Sequence, residues 1–298
     1  MKKIISERLK KAINVWADFI NEIIYKNRFL ERHKVLGILK KSFSKRTIIV
    51  EAGTIFYRAR KYGGNTDFVK YLDGPTLIPN ESLTEALYAK IFGKNEAIQK
   101  VKSGFYGFNA KDSFVPPKNI VKDGRANPSY ISYLYVAERP YTAMVEVQPY
   151  LGSDISVAEI KVNRKLNIMD IAKRFNDLET IEDFLLYFIA EEFSKPVDDD
   201  IKSYIPTQYI AEYLKREGFD GIRFRSSLDK RGSNITIFNY NECETINSKL
   251  YKLNDICLDA DSIAAPEKSK LCHYRLIKSP KRLGEEIKSL MKPSSKND

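Results

Sequence analysis

An α+β fold is predicted for this chain of 298 residues, and three observations predict it. Strand-like and helix-like runs follow one another irregularly, which argues against a doubly wound parallel sheet. The strand-like runs are short and several alternate with period two, as in "YISYLYVA" at 130–137. The helical runs open and close on local signals: "PTQYIAEYLKREGF" starts at Pro206-Thr207 and stops at Gly218.

Residues 6–44 read as two helices, with Leu9, Ile13, Trp16, Ile20 and Ile23 at helical spacing. "RTIIVEAGTIFYRARK" is β-rich, and Gly53 marks a turn or bulge between its two halves. In the second half Ile55, Tyr57 and Ala59 share one face; Phe56, Arg58 and Arg60 share the other. Residues 63–123 are loop-rich, with one helix expected at 84–102. Gly124 and Pro128 then bracket a turn before "YISYLYVA". Pro140 opens a short helix over "YTAMVEV". "ISVAEIKV" and "LNIMDI" are further strands, and "TIEDFLLYFIAEEFSK" is an amphipathic helix. "DGIRFRSS" and "NITIFN" are strands joined by "LDKRGS", and a polar tail follows Met291. Three segments result: an N-terminal helical extension at 1–48, a central domain at 49–263 and a basic C-terminal extension at 264–298.

Composition excludes several functions. The chain is 43% hydrophobic and 12% aromatic, enough for one large core or two modest ones. No apolar run approaches ~18 residues, and the start lacks a signal-peptide apolar stretch, so a cytoplasmic protein is expected. Three widely spaced cysteines argue against a disulfide framework. The net charge of +11 sits at the ends: +9 over residues 1–50 and +5 over 264–298, which leaves −3 for the middle. A nucleic-acid enzyme spreads basic charge over its working face, so nucleic acid is not the expected partner. Only His33 and His273 are present, which argues against a Ser-His-Asp machine. No zinc-ligand spacing, dinucleotide fingerprint or phosphate loop occurs, and no metal is expected.

The segment "GRANPSYISYLYVAERPYTAMVE" carries Arg125 and Glu146 at its two ends. Either the pair is a buried salt bridge that fixes the fold, or both face a charged ligand. Taken singly, each residue has a plain reading: Glu146 as a solvated helix position, Arg125 as a turn residue, Tyr133 and Tyr135 as core aromatics.

Three stretches in order, "FYRAR", "GRANPSYISYLYVAERPYTAMVEVQPY" and "PTQYIAEYLKREGFDGIRFRSS…GSNITIFN", resemble the RES domain family. The resemblance spans about residues 50–240. It implies an ADP-ribosyltransferase-like fold with a mixed or antiparallel β core and flanking helices. It also implies a toxin of a toxin–antitoxin pair that degrades NAD as a glycohydrolase or phosphorylase, with NAD as substrate and no other cofactor. Carried over by motif, the catalytic set is Glu146, Arg125, Ser226 and Tyr135, and NAD is held by Arg58, Arg60, Arg125, Tyr135 and Ser226. Ser227 and Tyr133 are neighbouring alternatives to Ser226 and Tyr135. The chain departs from the family where Gln148 stands in place of an arginine. The partners implied are NAD and an antitoxin protein.

The chemistry suits these residue types independently. Breaking the nicotinamide–ribose bond builds positive charge on the sugar, and a carboxylate stabilises it. Nicotinamide leaves as a neutral ring, so a chain almost without histidine loses nothing by lacking a strong acid. Arginine forks grip the pyrophosphate in paired bonds, and a tyrosine stacks on a ring or bonds a ribose hydroxyl. Two other readings remain: ADP-ribosyl transfer to a macromolecule, and a non-catalytic binding module engaged through the basic ends.

Overall fold

The computed structural model describes residues 2–63, 104–172, 178–195, 201–258 and 274–276. The helix expected at 84–102 and the tail after Met291 lie outside the described residues. Two helices open the chain, α1 (Lys2–Tyr25) and α2 (Lys34–Arg46), followed by β1 (Thr47–Val50) and β2 (Ile55–Tyr62). A single-turn helix, α3 (Ala110–Ser113), precedes β3 (Leu134–Ala137), α4 (Pro140–Glu146), β4 (Asp154–Val162) and β5 (Leu166–Asp170). Then come α5 (Ile181–Ser194), α6 (Ile205–Arg216), β6 (Gly221–Arg225), β7 (Ser233–Ile237) and β8 (Cys243–Lys252). A separate two-stranded ribbon joins β9 (Ile256–Leu258) to β10 (Tyr274–Leu276).

β1 to β8 form one mixed sheet in the order β1-β5-β6-β7-β3-β2-β4-β8. Only β5 and β6 run parallel; the other neighbours are antiparallel. An open sheet this wide curls under its own twist. Accordingly one cluster joins Val50 and Leu166 from one end to Ala158 and Cys243 from the other, with Phe56, Val136 and Ile235 between. Gly53, at φ +87°, makes the turn between β1 and β2, a conformation glycine adopts without a steric cost. The two strands then part: β1 pairs with β5, and β2 with β3 and β4.

The opposite face carries the long helices. α5 starts with a capping box in which Thr180 and Asp183 satisfy each other's backbone donors. α6 has proline in its first turn and ends at Gly218, whose φ is +91°. The N-terminal helices belong to this layer. Ala12, Trp16, Phe19 and Ile23 of α1 and Val35, Leu36 and Leu39 of α2 share one core with Leu185 and Phe193 of α5, Leu214 of α6 and Met169 and Ile222 of the sheet. Full burial of each large apolar side chain stabilises by about 1.5–3 kcal/mol. Ile13, though at helical spacing, turns outward and is 47% exposed.

Thr236 is completely buried on β7, and among the described residues its hydroxyl finds no hydrogen-bond partner. An unpaired buried hydroxyl costs ~1–3 kcal/mol, and valine has the same shape without it. Thr236→Val is therefore expected to stabilise the protein by about 1 kcal/mol, read as a higher urea midpoint at unchanged slope. A lower midpoint would show that the hydroxyl is paired.

Candidate active site

The site forms where the sheet splits. β2 keeps register with β4 from Ile55↔Lys161 to Tyr62↔Asp154, but with β3 it shares only Tyr57↔Ala137. β3 instead follows β7 along its whole length. A cleft of about 360 Å³ opens beside this lone contact, with Tyr57, Arg58 and Ala59 on one side and Tyr135, Val136 and Ala137 on the other. Gly124, Arg125, Glu146, Tyr204, Phe224 and Asn234 also line it.

Glu146 ends α4, which Pro140 opens at the first helical position. A carboxylate at a helix C-terminus opposes the helix dipole, so its position needs other support. That support is specific. Ser226 Oγ donates to Glu146 Oε1 at 2.6 Å, and Asn234 Nδ2 donates to the same oxygen at 2.7 Å. The loop between β6 and β7 is tied to α4 a second time: Asp229, buried, accepts from Thr142 Oγ1 at 2.6 Å and from Arg139. These donors hold its carboxyl below the usual range despite burial. Gly232 allows that approach, because a Cβ there would meet Thr142 Oγ1 at 2.5 Å and Asp229 Oδ2 at 2.6 Å.

Arg125 and Glu146 line one cleft but form no salt bridge with each other. Arg125 Nη1 donates to the carbonyl of Phe193 at 2.8 Å, and Nη2 to that of Lys195, both at the C-terminal end of α5. Its guanidinium lies 5.8 Å from the ring centre of Phe224. Burial lowers the pKa of Arg125, and the charge of Glu146 acts in the opposite sense. The loop that carries Arg125 is braced from α6, where Gln208 Nε2 donates to Asp123 Oδ1 at 3.1 Å and to the carbonyls of Gly124 and Asn127 at 3.0 Å.

Tyr135 turns into the cleft. Its hydroxyl donates to Asn127 Oδ1 at 2.6 Å and accepts from the Ala126 N–H at 3.0 Å. Burial raises its pKa, so it stays protonated at neutral pH. A Cβ at Gly124 would stand 2.5 Å from Asn127 Oδ1 and 2.9 Å from Tyr135 Oη, so a larger residue there would displace this pair. Tyr133 does not reach the cleft: it is buried against α6, where its hydroxyl donates to Glu212 and Lys215 Nζ sits 5.0 Å from its ring centre. Of the doubled serines, it is Ser226 that is buried and touches Glu146.

The two β2 arginines separate. Arg58 lines the cleft and donates to the Ser113 carbonyl at 3.1 Å. Burial, and secondly the neighbouring charge of Arg60, push its pKa down to about 10, so it remains cationic at neutral pH. Among the described residues no carboxylate pairs with it. Arg60 is outside the lining; it donates to the Asp112 carbonyl and lies 4.9 Å from the ring centre of Phe108. The structure thus brings Arg58, Arg125, Tyr135 and Glu146 to one cleft, with Ser226 behind Glu146 and Arg60 apart. Sequence reading missed Asn234, Gln208, Tyr57, Tyr204 and Phe224. The one available signal was an asparagine among the β-branched residues of "NITI", a poor strand former where an apolar side chain fits better.

The family model of the RES domain matches residues 99–252. No curated protein matches the chain. Among solved structures, the crystal structure of the M. tuberculosis MbcT–MbcA toxin–antitoxin complex is similar to it at 13% identity and a TM-score of 0.36, over 73% of this chain and 92% of that one. The match to the family model covers more than half of the sequence, and the chain belongs to the RES domain family, with its ADP-ribosyltransferase-like α+β fold.

Proposed function

We propose that the chain is an enzyme that cleaves the nicotinamide–ribose bond of NAD, and that it is the toxin of a toxin–antitoxin pair acting on the cytoplasmic NAD pool. One observation carries the reading: a single cleft holds an anchored carboxylate, Glu146, together with the cations Arg58 and Arg125. Its volume of about 360 Å³ falls in the range of small-molecule sites.

In this reading the arginines hold the pyrophosphate. Arg125 spends one N–H of each terminal nitrogen on the α5 carbonyls, which leaves others of its five donors for phosphate oxygens. Tyr135 and Tyr57 present aromatic surface to the nicotinamide end. As the C–N bond breaks, its electron pair stays on the ring nitrogen and neutralises the pyridinium. The carboxylate of Glu146 stabilises the positive charge left on the ribose. Water or phosphate then bonds to the sugar carbon and releases its proton to solvent.

The test is nicotinamide release from NAD by the purified protein, with and without phosphate. ADP-ribose as co-product indicates water as acceptor, and its phosphorylated form indicates phosphate. Label from NAD fixed on a macromolecule in cell extract would indicate transfer instead. No nicotinamide release under any of these conditions would overturn the reading.

A further inference from the structure

We propose that Asn234 is a positioning residue for Glu146, acting with Ser226 to decide which carboxylate oxygen faces the substrate. The inference rests on the NAD-cleaving reading above and adds a residue to it.

The Ser226 hydroxyl has one proton and two lone pairs. Its oxygen accepts from the backbone N–H groups of Leu228 at 3.1 Å and Asp229 at 2.9 Å. With both lone pairs engaged, its single proton is directed at Glu146 Oε1. Asn234 reaches that same oxygen. An ionised carboxylate only accepts, so the amide must present its NH₂ side. No hydrogen bond among the described residues reaches Oε2. Two donors on one oxygen fix the plane of the carboxylate and leave the other oxygen for the sugar.

The placement of Asn234 fits this role. It lies in register with Ala137 on β3 and Phe224 on β6, both of which line the cleft. It is 8% exposed on a strand buried throughout. A buried amide there is costly unless bonded, and its bond goes to Glu146. Asn234 therefore fills a sheet position that packing alone would give to an apolar residue.

The experiment has two readouts. Turnover of NAD is measured for wild type, Asn234→Ala, Glu146→Gln and the double variant. Asn234→Ala is expected to lower kcat at least about tenfold with KM changed by less than about threefold, the pattern of a lost transition-state interaction. In the Glu146→Gln background the same change should cost less than about twofold, since it acts through the carboxylate. Asn234→Ser, which keeps a donor, should recover part of the loss and serves if the alanine variant does not fold. Wild-type kcat in the folded Asn234 variants, or a full Asn234→Ala penalty on top of Glu146→Gln, would overturn the proposal. Crystal structures of wild type and the folded Asn234 variant without NAD give the readout that does not depend on activity. The Glu146 carboxylate should rotate away from its wild-type plane, and an unchanged carboxylate would overturn the positioning role. A wild-type protein that releases no nicotinamide would instead overturn the NAD reading, and the structures would still decide the role of Asn234.

Discussion

Glu146→Gln is expected to fold normally and to release nicotinamide at least about a hundredfold more slowly than wild type, the order seen when one electrostatic stabiliser is removed. The geometry explains why folding should survive. Ser226 and Asn234 both donate to Oε1, and a glutamine can keep its carbonyl oxygen in that place. Only the other oxygen is exchanged for an NH₂ group, which cannot stabilise a growing positive charge. Melting within a few degrees of wild type, together with the fall in kcat, separates chemistry from packing. Turnover close to wild type would remove Glu146 from the mechanism.

Arg125→Lys should show two losses at once. The guanidinium spans the carbonyls of Phe193 and Lys195 and covers the ring of Phe224. A lysine ammonium is a single point of charge and cannot reproduce that fork. Losing one charged hydrogen bond at the end of α5 is expected to destabilise by ~1–3 kcal/mol, or a drop in Tm of several degrees. If Arg125 grips the pyrophosphate as proposed, NAD affinity should also fall at least about tenfold, because an ammonium cannot make the paired contact. Calorimetry in the Glu146→Gln background measures that affinity without consuming the ligand. An unchanged Kd would mean that Arg125 serves the fold alone. An unchanged Tm would mean that the α5 carbonyls are satisfied in another way.

The local elements were legible because their signals are local. Pro140 marked the start of α4, Pro206-Thr207 the start of α6 and Gly218 its end. β8 escaped notice: "CETINSKLYK" is polar, and as an edge strand it buries only Cys243 and Ser248. Its pairing with β4 over almost its full length supplies the stability that its composition does not advertise. The N-terminal stripe announced a buried face but not its partner. That face packs on α5 and α6, elements more than a hundred residues away.

The site divides in the same way. The resemblance to the RES domain family, carried over motif by motif, singled out Arg125, Tyr135, Glu146 and Ser226, and the residue types suit the chemistry it implies. The choices between neighbours belonged to the tertiary structure. Tyr133 and Tyr135 share a strand face, and only the position of α6 sends the first into the core and leaves the second at the cleft. Ser226 rather than Ser227 meets Glu146 because two backbone N–H groups hold its hydroxyl in place. Arg58 and Arg60 are equivalent by alternation, and the splitting of β2 from β3 after Tyr57 gives the cleft to one of them. The polar residue at Asn234 was visible in "NITI", but not its contact with Glu146, which is 88 residues away. Hydrogen bonds are directional over about 3 Å, so which side chains meet is decided by strand register and helix packing that residue types alone do not encode.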